Sequence, residues 1–246
     1  MGRKTALITG GASGLGEVIS KTLASKGCNI VINYNTSSFK ASKLKNELEK
    51  QYNVDVMIIK CDISKEEEID QMISEVTKKF LRIDYLVNNA AVCIDSLFTE
   101  KSKENFMKTL EVNVVGTFLV SKKIGQIMYD NKFGSIVNLS STNGIDKYFP
   151  MSIDYDASKS AINSLTHNLS LEFSPYVRVN AVAPGWVMTE NEMKDLDQDY
   201  IKSEEEKIFV KRFATCEEVA NVVYFLLSDD ASYINNQVIK VDGGTY

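Results

Sequence analysis

Short apolar runs alternate with longer amphipathic ones along the whole chain. The short runs are TALITG (5–10), NIVINY (29–34), VDVMIIKCD (54–62), YLVNNA (85–90), GSIVNLS (134–140), RVNAVAPG (178–185) and QVIKVDG (237–243). They are rich in Val and Ile and apolar at nearly every position. Strands buried on both faces of a parallel sheet read this way, whereas a half-exposed strand would alternate. Between them lie helix-length segments at 14–27, 38–52, 65–80, 102–130, 155–173 and 216–228. In 65–80, Ile69, Met72, Ile73, Val76 and Phe80 recur at the spacing of one helix face. Strand, helix, strand without interruption predicts βαβ units and a doubly wound, seven-stranded parallel sheet with helices on both faces. No linker or repeat divides residues 1–246, so one domain is expected. The stretch 186–215 fits no strand. Its length between core elements suits a substrate-binding loop, and IKSEEEKIF within it predicts one or two short helices.

Composition narrows the possibilities. A net charge of −5 lacks the basic footprint of a nucleic-acid or anionic-membrane binder. No apolar run is long enough to span a bilayer, and the apolar stretch after the N-terminal basic pair is too short for a signal peptide. The four cysteines, Cys28, Cys61, Cys93 and Cys216, form no CxxC pair, and His167 is the single histidine. Neither a zinc site nor a disulfide framework is expected; reduced thiols in a cytoplasmic protein are.

TGGASGLG (9–16) follows the first strand and opens the first helix. Gly10, Gly14 and Gly16 permit a tight turn and close approach of a diphosphate, which the helix N-terminus would face with free N–H groups. The second strand ends in NYNTSSFK (33–40). A carboxylate there would bind the ribose 2′-hydroxyl of NAD. Tyr34, Asn35 and Thr36 stand in its place, with Lys40 nearby, so the turn favours NADP(H) over NAD(H).

Further patterns follow in order: Asp62 closing strand three, NNAA (88–91), Asn113 in EVNVVGTF, Ser140–Ser141 ending strand five, YDASK (155–159) and PGWVMT (184–189). Together they resemble the short-chain dehydrogenase/reductase family over essentially the whole chain, C-terminal EEVANVVYFLLSDDASYINNQVIKVDGG (217–244) included. The resemblance implies a Rossmann fold and interconversion of a carbonyl and a secondary alcohol by hydride transfer. Tyr155 would be the acid–base. Lys159, four residues on and on the same helix face, would lower its pKa and hold the nicotinamide ribose. Ser141 would bind the substrate carbonyl, with Ser140 securing the strand end, and Asn113 would hold a water in a proton relay. Cofactor contacts implied are Gly10, Ser13, Gly14, Leu15, Gly16, Tyr34, Asn35, Thr36, Asp62, Ile63, Asn89, Ala90, Tyr155, Lys159, Pro184, Gly185, Val187 and Thr189; no metal is implied. Ala91 departs from the family's NNAG and would be strained at positive φ.

The resemblance is to the branch holding 3-oxoacyl-[acyl carrier protein] reductases and bacterial sugar dehydrogenases. Two substrate classes stay open: a thioester on an acyl carrier protein, and a small-molecule carbonyl or polyol. The branch's carrier-docking arginines are replaced by Lys132 and Tyr176. Met188, Met193, Leu196, Ile201, Ile208 and Phe209 give the 186–215 loop an apolar side. A non-catalytic dinucleotide sensor would lack Tyr155 or Lys159. The family also implies a homotetramer.

Overall fold

The computed structural model describes residues 2–189 and 197–245. Seven parallel strands form one sheet in the order β3-β2-β1-β4-β5-β6-β7. They are β1 (Thr5–Ile8), β2 (Asn29–Tyr34), β3 (Val56–Lys60), β4 (Tyr85–Asn88), β5 (Gly134–Leu139), β6 (Val177–Pro184) and β7 (Val238–Val241). The helices are α1 (Gly14–Ser25), α2 (Ser38–Tyr52), α3 (Glu66–Lys79), α4 (Lys103–Leu110), α5 (Thr117–Asp130), α6 (Ile153–Glu172), α7 (Gln198–Glu206) and α8 (Cys216–Leu227).

Side-chain alternation within the strands divides the core into two layers. Ala6, Ile8, Ile30 and Ile32 face one side, where Ile19 and Leu23 of α1, Leu44 and Leu48 of α2 and Val219 and Val223 of α8 cover them. Leu7 and Val31 face the other, against Ile69 and Met72 of α3, Val120 and Ile124 of α5 and Leu169 of α6. Each such aliphatic side chain contributes about 1.5–3 kcal/mol on burial, so neither face tolerates a polar run.

β2 coincides with its apolar run and β6 lies one residue earlier than its own, while the other five strands are shorter than the runs that announced them, because periodicity does not mark where the backbone turns away from its neighbour. The segment 102–130 is not one regular helix. A π-helical turn, Glu111–Gly116, lies between α4 and α5. Gly116 there packs so closely on Ile63 that a Cβ would meet the Ile63 carbonyl at 2.8 Å. α8 starts from a capping box, Thr215 Oγ1 accepting from the Glu218 amide and Glu218 accepting from the Thr215 amide.

The 186–215 loop contains α7, with residues 190–196, including Met193 and Leu196, outside the described residues. Its apolar side is divided. Ile201 and Ile208 are buried with Phe213 against Trp186 and do not line an open cleft; Trp186 stacks on Phe213 at 5.4 Å. Met188 and Phe209 remain exposed. No described helix is long and apolar enough to cross a membrane.

Candidate active site

The strand order reverses between β1 and β4, which both neighbour each other and lead in opposite directions across the sheet. Loops leaving their C-terminal ends diverge there and open a crevice, where doubly wound folds bind ligands. The glycine loop occupies the β1 side. Gly10 and Gly14 adopt φ of +60° and +54°, which the absence of a Cβ permits. A Cβ on Gly14 would meet nothing within 4 Å, whereas one on Gly16 would run into the Gly10 carbonyl and the Asn89 amide. Gly14 therefore borders open space, and Gly16 is a packing position. Ser13 precedes α1 without capping it through its side chain. An uncapped helix N-terminus beside an open glycine turn fits the diphosphate of a dinucleotide.

Two polar residues absent from the sequence reading hold this loop. Thr9 Oγ1 accepts from the Asn89 and Ala90 amides, both at 3.0 Å. Asn33, buried within β2, accepts from Gly10 N at 3.2 Å and donates to the Cys61 carbonyl at 3.0 Å. An amide following the apolar run Ile30–Ile32 was the signal for it. Asn89 donates to the Thr9 and Gly10 carbonyls at 3.0 and 3.1 Å, tying the β4 exit to the loop. Ala91 is not among the positive-φ residues, so its methyl is unstrained.

At the far edge of the crevice, Asp62 accepts from the Ser64 amide and hydroxyl at 3.0 and 2.7 Å. Burial alone would raise its pKa. The Ser64 bonds, the Lys65 charge and the Asn35 amide outweigh it and hold the carboxyl below its ordinary range. Tyr34 is half-buried, and Asn35 and Thr36 are exposed. α2 behind them has no acidic residue in its first turn and no side-chain cap. Ile63 is buried against the π turn. On the β6 side, Gly185 N donates to the Val241 carbonyl at 3.1 Å. Pro184 ends the strand. Val187 bridges Ala214, and Thr189 N donates to the Val187 carbonyl at 2.9 Å.

Tyr155 and Lys159 lie one turn apart on α6, the Nζ 5.2 Å from the phenol ring centroid. Lys159 is only 4% exposed and donates to the Leu139 carbonyl, the last of β5, at 2.6 Å. Burial pulls its pKa down to about 8, the nearby Cys93 opposing the shift. Ser140 is buried and spoken for: it donates to Asn163 Oδ1 at 2.6 Å and the Lys159 carbonyl at 3.2 Å. Ser141, half-buried on the opposite side of the chain, accepts from Asn143 N at 3.2 Å. Asn113 sits in the π turn with its side-chain carbonyl accepting from Val92 N at 2.8 Å and its amide donating to Val92 O and Ser158 Oγ at 2.9 and 3.0 Å. Both amide protons are thus engaged, and the side chain clamps the chain leaving β4.

Cys93 is exposed as a residue, but its sulfur lies against Asp95 at 3.2 Å. Partial burial of the sulfur and this carboxylate push the thiol up to about 12, so it stays protonated. Cys28, Cys61 and Cys216 are buried. His167 is exposed and pairs with Asn236. No cluster of metal-ligating side chains occurs among the described residues.

Residues 10–246 match a family model described as Enoyl-(Acyl carrier protein) reductase. A 3-oxoacyl-[acyl-carrier-protein] reductase, FabG, of Aquifex aeolicus is 37% identical over 99% of this chain and 97% of its own. Levodione reductase of Leifsonia aquatica is 38% identical over 98% and 93%. The solved structure described as ElxO with NADP bound superposes with a TM-score of 0.91 at 32% identity, covering 99% of this chain and 98% of that one. The chain belongs to the short-chain dehydrogenase/reductase family and is an oxidoreductase that interconverts carbonyl and alcohol groups with a nicotinamide dinucleotide.

Proposed function

We propose that this enzyme is an NADP(H)-linked carbonyl reductase in which Tyr155 is the acid that protonates the substrate oxygen. The observation that carries this reading is the buried Lys159 ammonium beside the Tyr155 ring. A phenol ordinarily titrates near ~10. A desolvated cation at its side favours the phenolate and brings the group into the range of efficient proton transfer. Ser141, free of the α6 contacts that occupy Ser140, hydrogen-bonds the carbonyl and stabilises its developing charge. Lys159 keeps protons beyond the one given to Leu139, for the ribose hydroxyls and for a relay through a water held at Asn113. When bound, the reduced nicotinamide supplies the hydride. The diphosphate is held at Gly10, Ser13, Gly14, Leu15 and Gly16. Asp62 and Ile63 meet the adenine, Asn89 and Ala90 the ribose, and Pro184, Gly185, Val187 and Thr189 the carboxamide.

Preference for NADP(H) rests on the end of β2. Tyr34, Asn35 and Thr36 carry no charge that would repel a 2′-phosphate, and the N-terminus of α2 behind them has Lys40 but no acid. The substrate is a small-molecule carbonyl. Where carrier docking would call for arginines, Tyr176 packs edge-on against Tyr129 at 5.2 Å under Lys132. The levodione reductase relative supports this class. The FabG relative supports a second reading, a thioester on an acyl carrier protein. Four free thiols suit the cytoplasm. Met107, Val115 and Phe118, exposed on one continuous helical stretch, suit burial in a homotetramer; a monomer in light scattering would refute that assembly.

Consumption of NADPH and NADH, followed at 340 nm with ketones, sugars and an acetoacetyl thioester, tests the reading. Turnover of ketones with NADPH is expected. Turnover of the thioester alone would replace the small-molecule reading with the second one, and a preference for NADH would refute the assignment at β2.

A further inference from the structure

The tyrosine is flanked by two carboxylates, in the sequence IDYD (153–156). Acids in a first helical turn are ordinary, since they complement the helix dipole. These two are buried, which is not. Consecutive residues on a helix point about 100° apart, so Asp154 and Asp156 leave the helix on opposite sides of Tyr155. Each reaches a different segment bordering the catalytic residues.

Asp154 reaches the chain that follows β4. Its Oδ1 lies 2.9 Å from Lys101 Nζ, with the two side chains 0% and 5% exposed. Its Oδ2 accepts from Thr109 Oγ1 at 2.7 Å. Lys101 also donates to the Ile94 carbonyl, closing 94–101 into a loop around its ammonium. The same segment is held at Val92 by Asn113, and at Ser96, whose amide donates to the Met151 carbonyl at 3.1 Å. Asp156 reaches the opposite side. It accepts from Asn143 Nδ2 at 2.7 Å and from Phe149 N at 2.8 Å, spanning the loop that leaves Ser141. Both walls next to the tyrosine are therefore fastened to the helix that carries it.

A buried ion pair is a weak device for stability, because desolvating both charges offsets most of their attraction. It is a strong device for geometry, since either partner left alone is a buried, uncompensated charge. We propose that Lys101 and Asp154, with Asp156 on the other side, are positioning residues that hold the two segments flanking Tyr155 at a fixed distance from its hydroxyl, so that a carbonyl substrate meets a preformed cleft. None of the three touches the reacting atoms. The inference rests on Tyr155 being the acid.

The test compares wild type with Lys101→Met, Asp154→Asn and the double variant for thermal stability, NADPH binding by fluorescence, and steady-state kinetics on the best carbonyl substrate. Each single change is expected to raise KM about tenfold while kcat falls less than about threefold and NADPH affinity stays within about twofold. The double variant, which buries no lone charge, should lose less kcat/KM than the product of the single losses, yet keep a KM about threefold above wild type. Single variants with unchanged KM, multiplicative losses in the double, or a parallel loss of NADPH affinity would overturn the clamp. Should neither single variant fold, the KM of the double decides: elevated supports the clamp, unchanged overturns it. Tyr155→Phe is measured alongside. If it is inactive while the clamp variants keep wild-type KM, the clamp alone falls; if it stays active, the acid–base reading falls and the clamp with it.

Discussion

Lys159 carries an electrostatic cost of burial in the site. Burial lowers its pKa from 10.5 to about 8, so the folded protein binds this proton less tightly than the unfolded chain. The cost of burying the ammonium is therefore fully present below about pH 8 and fades as pH rises towards the unfolded value. Lys159→Met removes that cost together with the cation proposed to act on Tyr155. At pH 7 the variant should be more stable than wild type by about 2 kcal/mol, with the gap closing near pH 10 as wild type recovers. Thermal unfolding at the two pH values checks this, and a variant less stable than wild type at pH 7 would contradict it. The spacing of Tyr155 and Lys159 was legible in the sequence, because four residues is one helical turn. The partners of Asp154 and Asp156 were not. They lie on segments 53 and 13 or fewer residues away, counted from Lys101 and Asn143 to the aspartates they meet, and nothing local announces such meetings.

 Thr9, just past β1, and Asn33, within β2, escaped for the same reason: a polar residue beside or within a strand signals a partner without naming it.

At the scale of elements, strand and helix order followed from apolar patterning alone, since parallel strands covered on both faces leave no polar alternation. The break in 102–130 did not. A π turn keeps the helical repeat on both sides, so the apolar pattern runs through it unmarked, and the close packing of Gly116 on Ile63 is a contact between distant segments. The glycine loop separates two kinds of glycine that look alike in sequence. Gly14→Ala meets no protein atom, places a methyl in the open cradle and strains a φ of +54°. It should weaken NADPH binding at least about tenfold and cost only about 1 kcal/mol of stability. Gly16→Ala drives a methyl into the Gly10 carbonyl and the Asn89 amide, so it should lower the melting temperature sharply whether or not cofactor is present. Fluorescence titration and thermal unfolding of both variants check the contrast, and equal effects on stability would contradict it.

For the molecule as a whole, the order β3-β2-β1-β4-β5-β6-β7 places the glycine loop after β1, the chain leaving β4 and the end of β5 along one crevice. Residues far apart in sequence, Gly10, Asn89 and Ser141 among them, are thereby ranged along the C-terminal ends of adjacent strands. That gathering was legible through the family's ordered motifs and not through any single one of them. The 186–215 loop was the least legible part. Its apolar residues fit a pocket lining and packing onto the core equally well in sequence; Ile201 and Ile208 form a small core with Trp186 and Phe213, because an isolated loop helix needs apolar cover of its own.

The most direct test of the central claim is the turnover of Tyr155→Phe, which deletes one oxygen and keeps the ring beside Lys159. The account predicts a fall in kcat of at least about 10³-fold with NADPH affinity within about twofold of wild type. A variant that retains a tenth or more of wild-type turnover would contradict it.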